Sequence, residues 1–229
     1  MSLHLVRDLE ALKQLLLGAC AVVEKSVALA VRALETQDAA LARQIIDADD
    51  EIDALEVRVE EEALKLLALY QPVAVDLRWI VSAIKINSDL ERIGDLAVNI
   101  AQRAERLAGI PPPRAKLDLG LMAEKALAML RGSLDALFNM DSALAWKVCE
   151  SDDEVDALNR ENYDRVREAL LAVPEDVDFL IQALGVSRSL ERVADHATNI
   201  AQDVIYMNEG HIVRHRRQPP GGEGAPVKA

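Results

Sequence analysis

One thirteen-residue segment of this chain occurs twice, one hundred residues apart, as Leu90 to Gln102 and again as Leu190 to Gln202. Nine of its thirteen positions are identical, and they include Glu, Arg, Asp, Asn and Gln as well as apolar residues. Any two amphipathic helices share apolar positions, whereas polar side chains repeated in register mark a duplicated structural unit. The fold must supply two equivalent places for one segment.

Other segments repeat around it. Asp38-Ala39-Ala40-Leu41 returns as Asp141-Ser142-Ala143-Leu144, and Asp49 to Leu55 returns as Asp152 to Leu158, both offset by 103. The three-residue difference from the first offset falls around Pro174, where a short hairpin turn absorbs it. The expected organisation is a first unit over residues 1–110, a second over 111–210 and a basic, Pro- and Gly-rich tail over 211–229.

Prolines punctuate the chain at 72, at 111–113, at 174 and in the tail, outside the long periodic segments. An uninterrupted helix requires that, because proline removes an amide donor and clashes with the preceding turn. The periodicity predicts six helices: Leu3 to Thr36, Ala39 to Tyr70, one following Pro72, Lys116 to Asn139, Asp141 to Ala172 and Glu175 to Glu209. In the third, Trp79, Ala83, Ile86, Leu90, Ile93 and Ala97 recur in steps of four and three; in the sixth, Phe179, Ala183, Val186, Leu190, Val193 and Ala197 do the same. Such steps form the seam of a helical bundle. With 3% aromatic residues, helices are favoured over sheets. The expected fold class is all-α, a tandem pair of antiparallel three-helix bundles.

The net charge of -13 disfavours nucleic acid as a partner, since phosphates would be repelled. It points toward cations, basic protein surfaces or simple solubility. Arg7, Asp8 and Glu10 lie in the first ten residues, and the uncharged run Gln14 to Val23 is too short to span a bilayer, so a soluble cytoplasmic protein is expected. Cys20 and Cys149 are solitary and are expected to be small packing residues.

The chemistry-bearing candidates are carboxylates. Glu91 and Asp95 stand four apart on one helix face, as do Glu191 and Asp195. A second acidic series, Asp49, Asp53, Glu56 and Glu60, lies on the preceding helix, and the hairpin at Pro72 brings the two stripes toward one level. The second copy offers Asp152 and Asp156. Carboxylates without His or Cys at ligand spacing suit oxygen-preferring or borderline cations such as iron, manganese, magnesium or calcium, with zinc less typical. The plainer alternative is a pair of solvated faces. Retention of Glu, Asp and Asn in both copies, while Leu96 becomes His196 and Val98 becomes Thr198, favours a site. Arg92 and Arg192 are expected to pair with the acids and hold them in place. A ferritin-like di-iron centre is disfavoured because neither copy has a Glu-x-x-His pair. No phosphate loop, nucleophile triad or activated cysteine is visible.

Two three-helix units, each with Asp-x-x-x-Asp on its second helix and Glu-Arg-[Ile/Val]-[Gly/Ala]-Asp on its third, resemble the PhoU family of phosphate-transport accessory regulators, from about Asp8 to Met207. The resemblance implies a cytoplasmic, often homodimeric, non-enzymatic protein. Its implied partners are the ATPase subunit of the phosphate ABC transporter and the phosphate sensor histidine kinase, and its implied role is negative regulation of phosphate-starvation signalling. It also implies multinuclear metal clusters, iron or zinc, on Asp49, Asp53, Glu91 and Asp95 and on Asp152, Asp156, Glu191 and Asp195, with Arg92, Asn99, Arg192 and Asn199 in support. Ala194 in place of Gly94 departs from the first copy and is expected to narrow access at the second site. A carboxylate-bridged metal hydrolase and a metal-free structural bundle are the alternatives, the former weakened by the lack of a general base apart from the candidate ligands.

Overall fold

The structure, a computed structural model, describes residues 3–113 and 115–213. Its helices are α1 (Leu3–Thr36), α2 (Ala39–Asp47), α3 (Asp49–Tyr70), α4 (Ala74–Leu107), α5 (Leu119–Asn139), α6 (Ser142–Ala172) and α7 (Val177–Glu209), with a 3-10 turn at Pro174–Asp176 before α7. The fold is all-α.

The duplicated aspartates start equivalent helices. Asp38 Oδ1 accepts from the amides of Ala40 and Leu41 at 3.0 and 2.9 Å, and Asp141 Oδ1 accepts from Ala143 and Leu144 at 2.9 and 3.0 Å. These bonds satisfy amides that have no partner within the helix. The residues before the caps, Gln37 and Met140, both adopt left-handed φ, 53° and 51°, which ends the preceding helix in each copy.

The second predicted helix is divided. The chain bends at Ala48, which closes α2 and precedes α3 without any side-chain cap. Three carboxylates, Asp49, Asp50 and Glu51, occupy the first turn of α3, where they complement the positive end of the helix dipole. The fourth predicted helix begins at Leu119, not Lys116, and just before it the Asp118 amide donates to Asn162 Oδ1 of α6 at 3.0 Å.

α1 packs on α3 and α4, and α5 packs on α6 and α7. Although α1 is apolar and long enough by composition to cross a membrane, its stripe Leu5, Leu9, Leu12, Leu16, Val23 and Val27 is buried in the bundle. The two copies meet through α4 and α7, and one continuous core includes residues from both. These helices cross antiparallel: Lys85 Nζ lies 3.0 Å from Asp203 Oδ1, His196 Nδ1–H donates to Asp89 Oδ1 at 2.7 Å, and Arg103 donates to Gln182 at 3.4 Å. As numbers rise along α4 they fall along α7, which puts Ile93 and Val193 near the crossing point and makes the repeat pseudo-two-fold.

Cys20 and Cys149 are both buried, and burial pushes each thiol up to about 12. They are packing residues, as the sequence suggests. The tail expected from residue 211 is described only as far as Val213, which is 3% exposed and packs into the core; its remaining residues lie outside the described ones.

Candidate metal centre

Each acidic face is built by a helical hairpin. In the first copy the level of α3 against α4 is fixed by Asn87, buried on α4, whose Nδ2 donates to the Glu56 carbonyl at 2.8 Å. Counting along the antiparallel pair from that bond sets Asp53 near the level of Glu91 and Asp49 near that of Asp95, with Glu56 about one turn away at the level of Asn87. In the second copy a different set fixes the level: Ser187 donates to Asn159 Oδ1 at 2.8 Å, and Asn162 donates to Ser187 at 3.3 Å. Asp152 accepts from Thr198 Oγ1 at 3.3 Å, which sets it against the α7 face that carries Asp195 and Glu191.

The charges repel. Asp49 is raised above the ordinary carboxylate range by partial burial and then by Asp53, Asp95 and Asp50; Glu91 is raised by partial burial, Asp95, Glu56 and Asp53, with Arg92 opposing. In the second copy Glu191 is raised by burial, Asp195, Asp156 and Asp152, against Arg188, while Asp195 is raised by burial, Asp152 and Asp156, against His196 and Arg192. The structure thus brings the sequence-selected acids of each copy within electrostatic reach of one another.

It does not gather them round a point. Among the described residues no group of three or more His, Cys, Asp or Glu side chains is arranged to hold a metal ion. The donor chemistry is that of an oxygen-preferring cation, but in this arrangement the carboxylates do not converge on one point. Arg92 and Arg192 make no ion pair among the described residues and act on Glu91 and Asp195 only through space. Asn199 donates to Asp89 across the two copies at 3.3 Å.

Gly94 and Ala194 face inward, not toward the acids. A Cβ on Gly94 would lie 2.9 Å from Ile52 Cδ1, and in the second copy Val155 replaces Ile52 where Ala194 replaces Gly94. Ala194 is 1% exposed and part of the core. Its methyl is enclosed by the core and does not narrow access to the acidic face.

The repeat does not single out Asp89, His196 or Arg188 as site residues, His196 entering only as a departure from Leu96. Their counterparts Ser189, Leu96 and Ser88 differ in charge or polarity, so a search for repeated residues misses them. The signal available was the divergence itself on an otherwise conserved stripe.

A family model described as "PhoU domain" matches the chain twice, over residues 16–104 and 119–204. A phosphate-specific transport system accessory protein PhoU homolog of Aquifex aeolicus is 38% identical, the match covering 96% of this chain and 100% of that protein. The homolog of Pseudomonas aeruginosa PAO1 is 39% identical over 91% of this chain and 86% of its own length. Among solved structures, PhoU from Pseudomonas aeruginosa superposes with a TM-score of 0.87 at 36% identity, covering 90% of this chain and 99% of that one. The phosphate transport system regulatory protein PhoU from Streptococcus pneumoniae gives 0.81 at 28% identity, covering 91% and 99%.

Proposed function

Because the chain belongs to the PhoU family, we propose that it is an accessory regulator of phosphate transport that acts by binding protein partners and catalyses no reaction itself. The supporting observation is coverage: similarity to an accessory protein of the phosphate-specific transport system runs along 96% of this chain and the whole of that protein. Its partners in this reading are the ATPase subunit of the phosphate ABC transporter and the phosphate sensor histidine kinase, met on the cytoplasmic side by a homodimer. The net charge of -13 speeds encounter with basic patches on such partners, and contacts of this kind weaken as salt rises.

The acidic faces enter the proposal as cation-binding surfaces. Several partly buried carboxylates at close range destabilise one another unless a cation joins them, and iron or zinc is the family's implied occupant. Binding would have to draw the side chains of Asp49, Asp53, Glu91 and Asp95 together, and likewise Asp152, Asp156, Glu191 and Asp195. Elemental analysis of protein purified without chelators is expected to find metal that Glu91→Ala with Asp95→Ala removes from the first copy alone. Protein free of metal, with no binding of added iron, zinc or manganese, would return these surfaces to plain solvation.

The regulatory reading is tested in the host. Deletion of the gene is expected to switch on phosphate-starvation reporters in phosphate-rich medium, and the purified protein to co-purify with the transporter ATPase subunit or the sensor kinase. Unchanged reporters together with no association would sink it.

A further inference from the structure

A cavity of ≈ 490 Å³ opens where α1, the first turns of α4 and the end of α5 meet; Leu16, Val75, Trp79, Leu137, Phe138 and Met140 supply its apolar wall. A smaller one of ≈ 200 Å³ occupies the pseudo-equivalent place, lined in part by Leu119, Phe179, Leu34, Glu35 and Gln37. Under the repeat, Leu16 corresponds to Leu119, Trp79 to Phe179 and Leu137 to Leu34, so the two cavities share a frame. They part at the rim, where Phe138 stands for Glu35 and Met140 for Gln37.

We infer that the larger cavity is a docking groove for a basic amphipathic segment of a partner protein. The second copy shows that the fold accepts a polar rim at this place: Gln37 and Met140 even share the same left-handed backbone, at φ 53° and 51°. The apolar rim is therefore not a requirement of folding. Phe138 is 66% exposed and Val75 61%, in a chain that has only two Phe and two Trp. An exposed aromatic beside a concave apolar wall is the arrangement that receives the apolar side chains of a partner helix.

Charge selects a cationic occupant. The groove holds Glu10, Asp76 and Lys13, and Lys13 is already engaged, 5.6 Å above the centre of the Trp79 ring and 3.9 Å from Glu10. Asp76 forms no ion pair among the described residues. A segment carrying Leu or aromatic side chains with flanking Lys or Arg would fill the cavity and pair with Asp76. The groove lies apart from the acidic faces, and the inference does not depend on the regulatory reading.

The test uses the full chain and a fluorescein-labelled 18-residue peptide of Leu, Trp and Lys in helical period, with an analogue bearing Glu in place of Lys. Phe138→Glu with Met140→Gln installs the residues that the other copy carries, and Asp76→Asn removes the charge alone. By fluorescence anisotropy the Lys peptide is expected to bind the wild type, to bind the double variant at least tenfold more weakly and Asp76→Asn several-fold more weakly, with circular dichroism unchanged. Equal binding to the double variant, or equal binding of the Glu analogue, overturns the inference. So does failure of the Lys peptide to bind while light scattering shows the double variant losing a dimer, which would make the groove a contact between copies. Loss of binding to phosphatidylglycerol vesicles, with no peptide binding, would assign the groove to a lipid surface and equally overturn it.

Discussion

At Gly94 an alanine methyl would lie 2.9 Å from Cδ1 and 3.1 Å from Cγ2 of Ile52, and the second copy carries Ala194 together with the smaller Val155 at the positions equivalent to Gly94 and Ile52. Glycine inside a helix costs about 0.5–1 kcal/mol relative to alanine, so the first copy accepts a weaker helix in return for a larger core residue. We expect Gly94→Ala to be much better tolerated with Ile52→Val than alone, the coupling being non-additive because the residues touch; urea unfolding of the four-member cycle measures it. The acids make a second prediction. Asp49, Glu91, Glu191 and Asp195 are all raised above their ordinary values, so the folded state binds more protons than the unfolded chain just above the ordinary carboxylate range. Stability must then fall as pH rises through that window, and at neutral pH the repulsion is fully present. Glu191→Gln with Asp195→Asn is expected to raise the Tm of chelator-treated protein at pH 7 by roughly 1–4 °C, with the difference closing toward pH 4. A lower Tm at pH 7 would show that these carboxylates are held by attraction.

Among the elements, α2 and α6 give the cleanest comparison, since each opens with an aspartate cap of the same geometry. Asp38→Ala and Asp141→Ala should each cost about 1 kcal/mol, and the double variant about the sum, because the caps are distant from each other. Thermal unfolding of the three variants checks this. The helices were largely legible in the sequence because prolines and the four-three seam mark them directly: Leu3–Thr36 begins and ends where the period does. The bend at Ala48 was not. Alanine is the strongest helix former, so Ala48 itself does not mark a break; the flanking Asp47, Asp49 and Asp50 favour caps over helix interiors, yet the equivalent stretch Glu150 to Asp153 stays within continuous α6. At the site, the period showed which face Glu91 and Asp95 share, but not that their carboxylates stop short of a common centre, because side-chain convergence depends on rotamers that spacing does not encode. The register of α4 against α7 was equally hidden, since a helix stripe names the buried face and not the partner that covers it.

Over the whole molecule, the continuous core joins the copies, so neither is expected to unfold alone. Trp79 reports on the first copy and Trp146 on the second. Single-tryptophan variants, Trp79→Phe and Trp146→Phe, followed in urea by fluorescence and by far-ultraviolet circular dichroism, should give coincident transitions. Two separated transitions would mean that α4 and α7 contribute little to each other's stability. A chain stopped after Pro113 would expose the apolar side of α4 that α7 covers, and should aggregate rather than fold as a monomer.

The antiparallel crossing of α4 and α7 also bears on ancestry. If the two repeats were separate identical chains, the place now held by Lys85 and Asp203 would join residue 85 of one to residue 103 of the other, and would occur twice. Any pairing there would have to succeed in duplicate, as in every symmetric dimer. Covalent duplication lifts that constraint. Here one end of the crossing carries Lys85 bonded to Asp203, while at the other Arg103 lies over Gly185, where a Cβ would come within 2.5 Å of its guanidinium. The fused chain can thus mutate one end of its own seam without altering the other, a freedom that a homodimer of single repeats does not have.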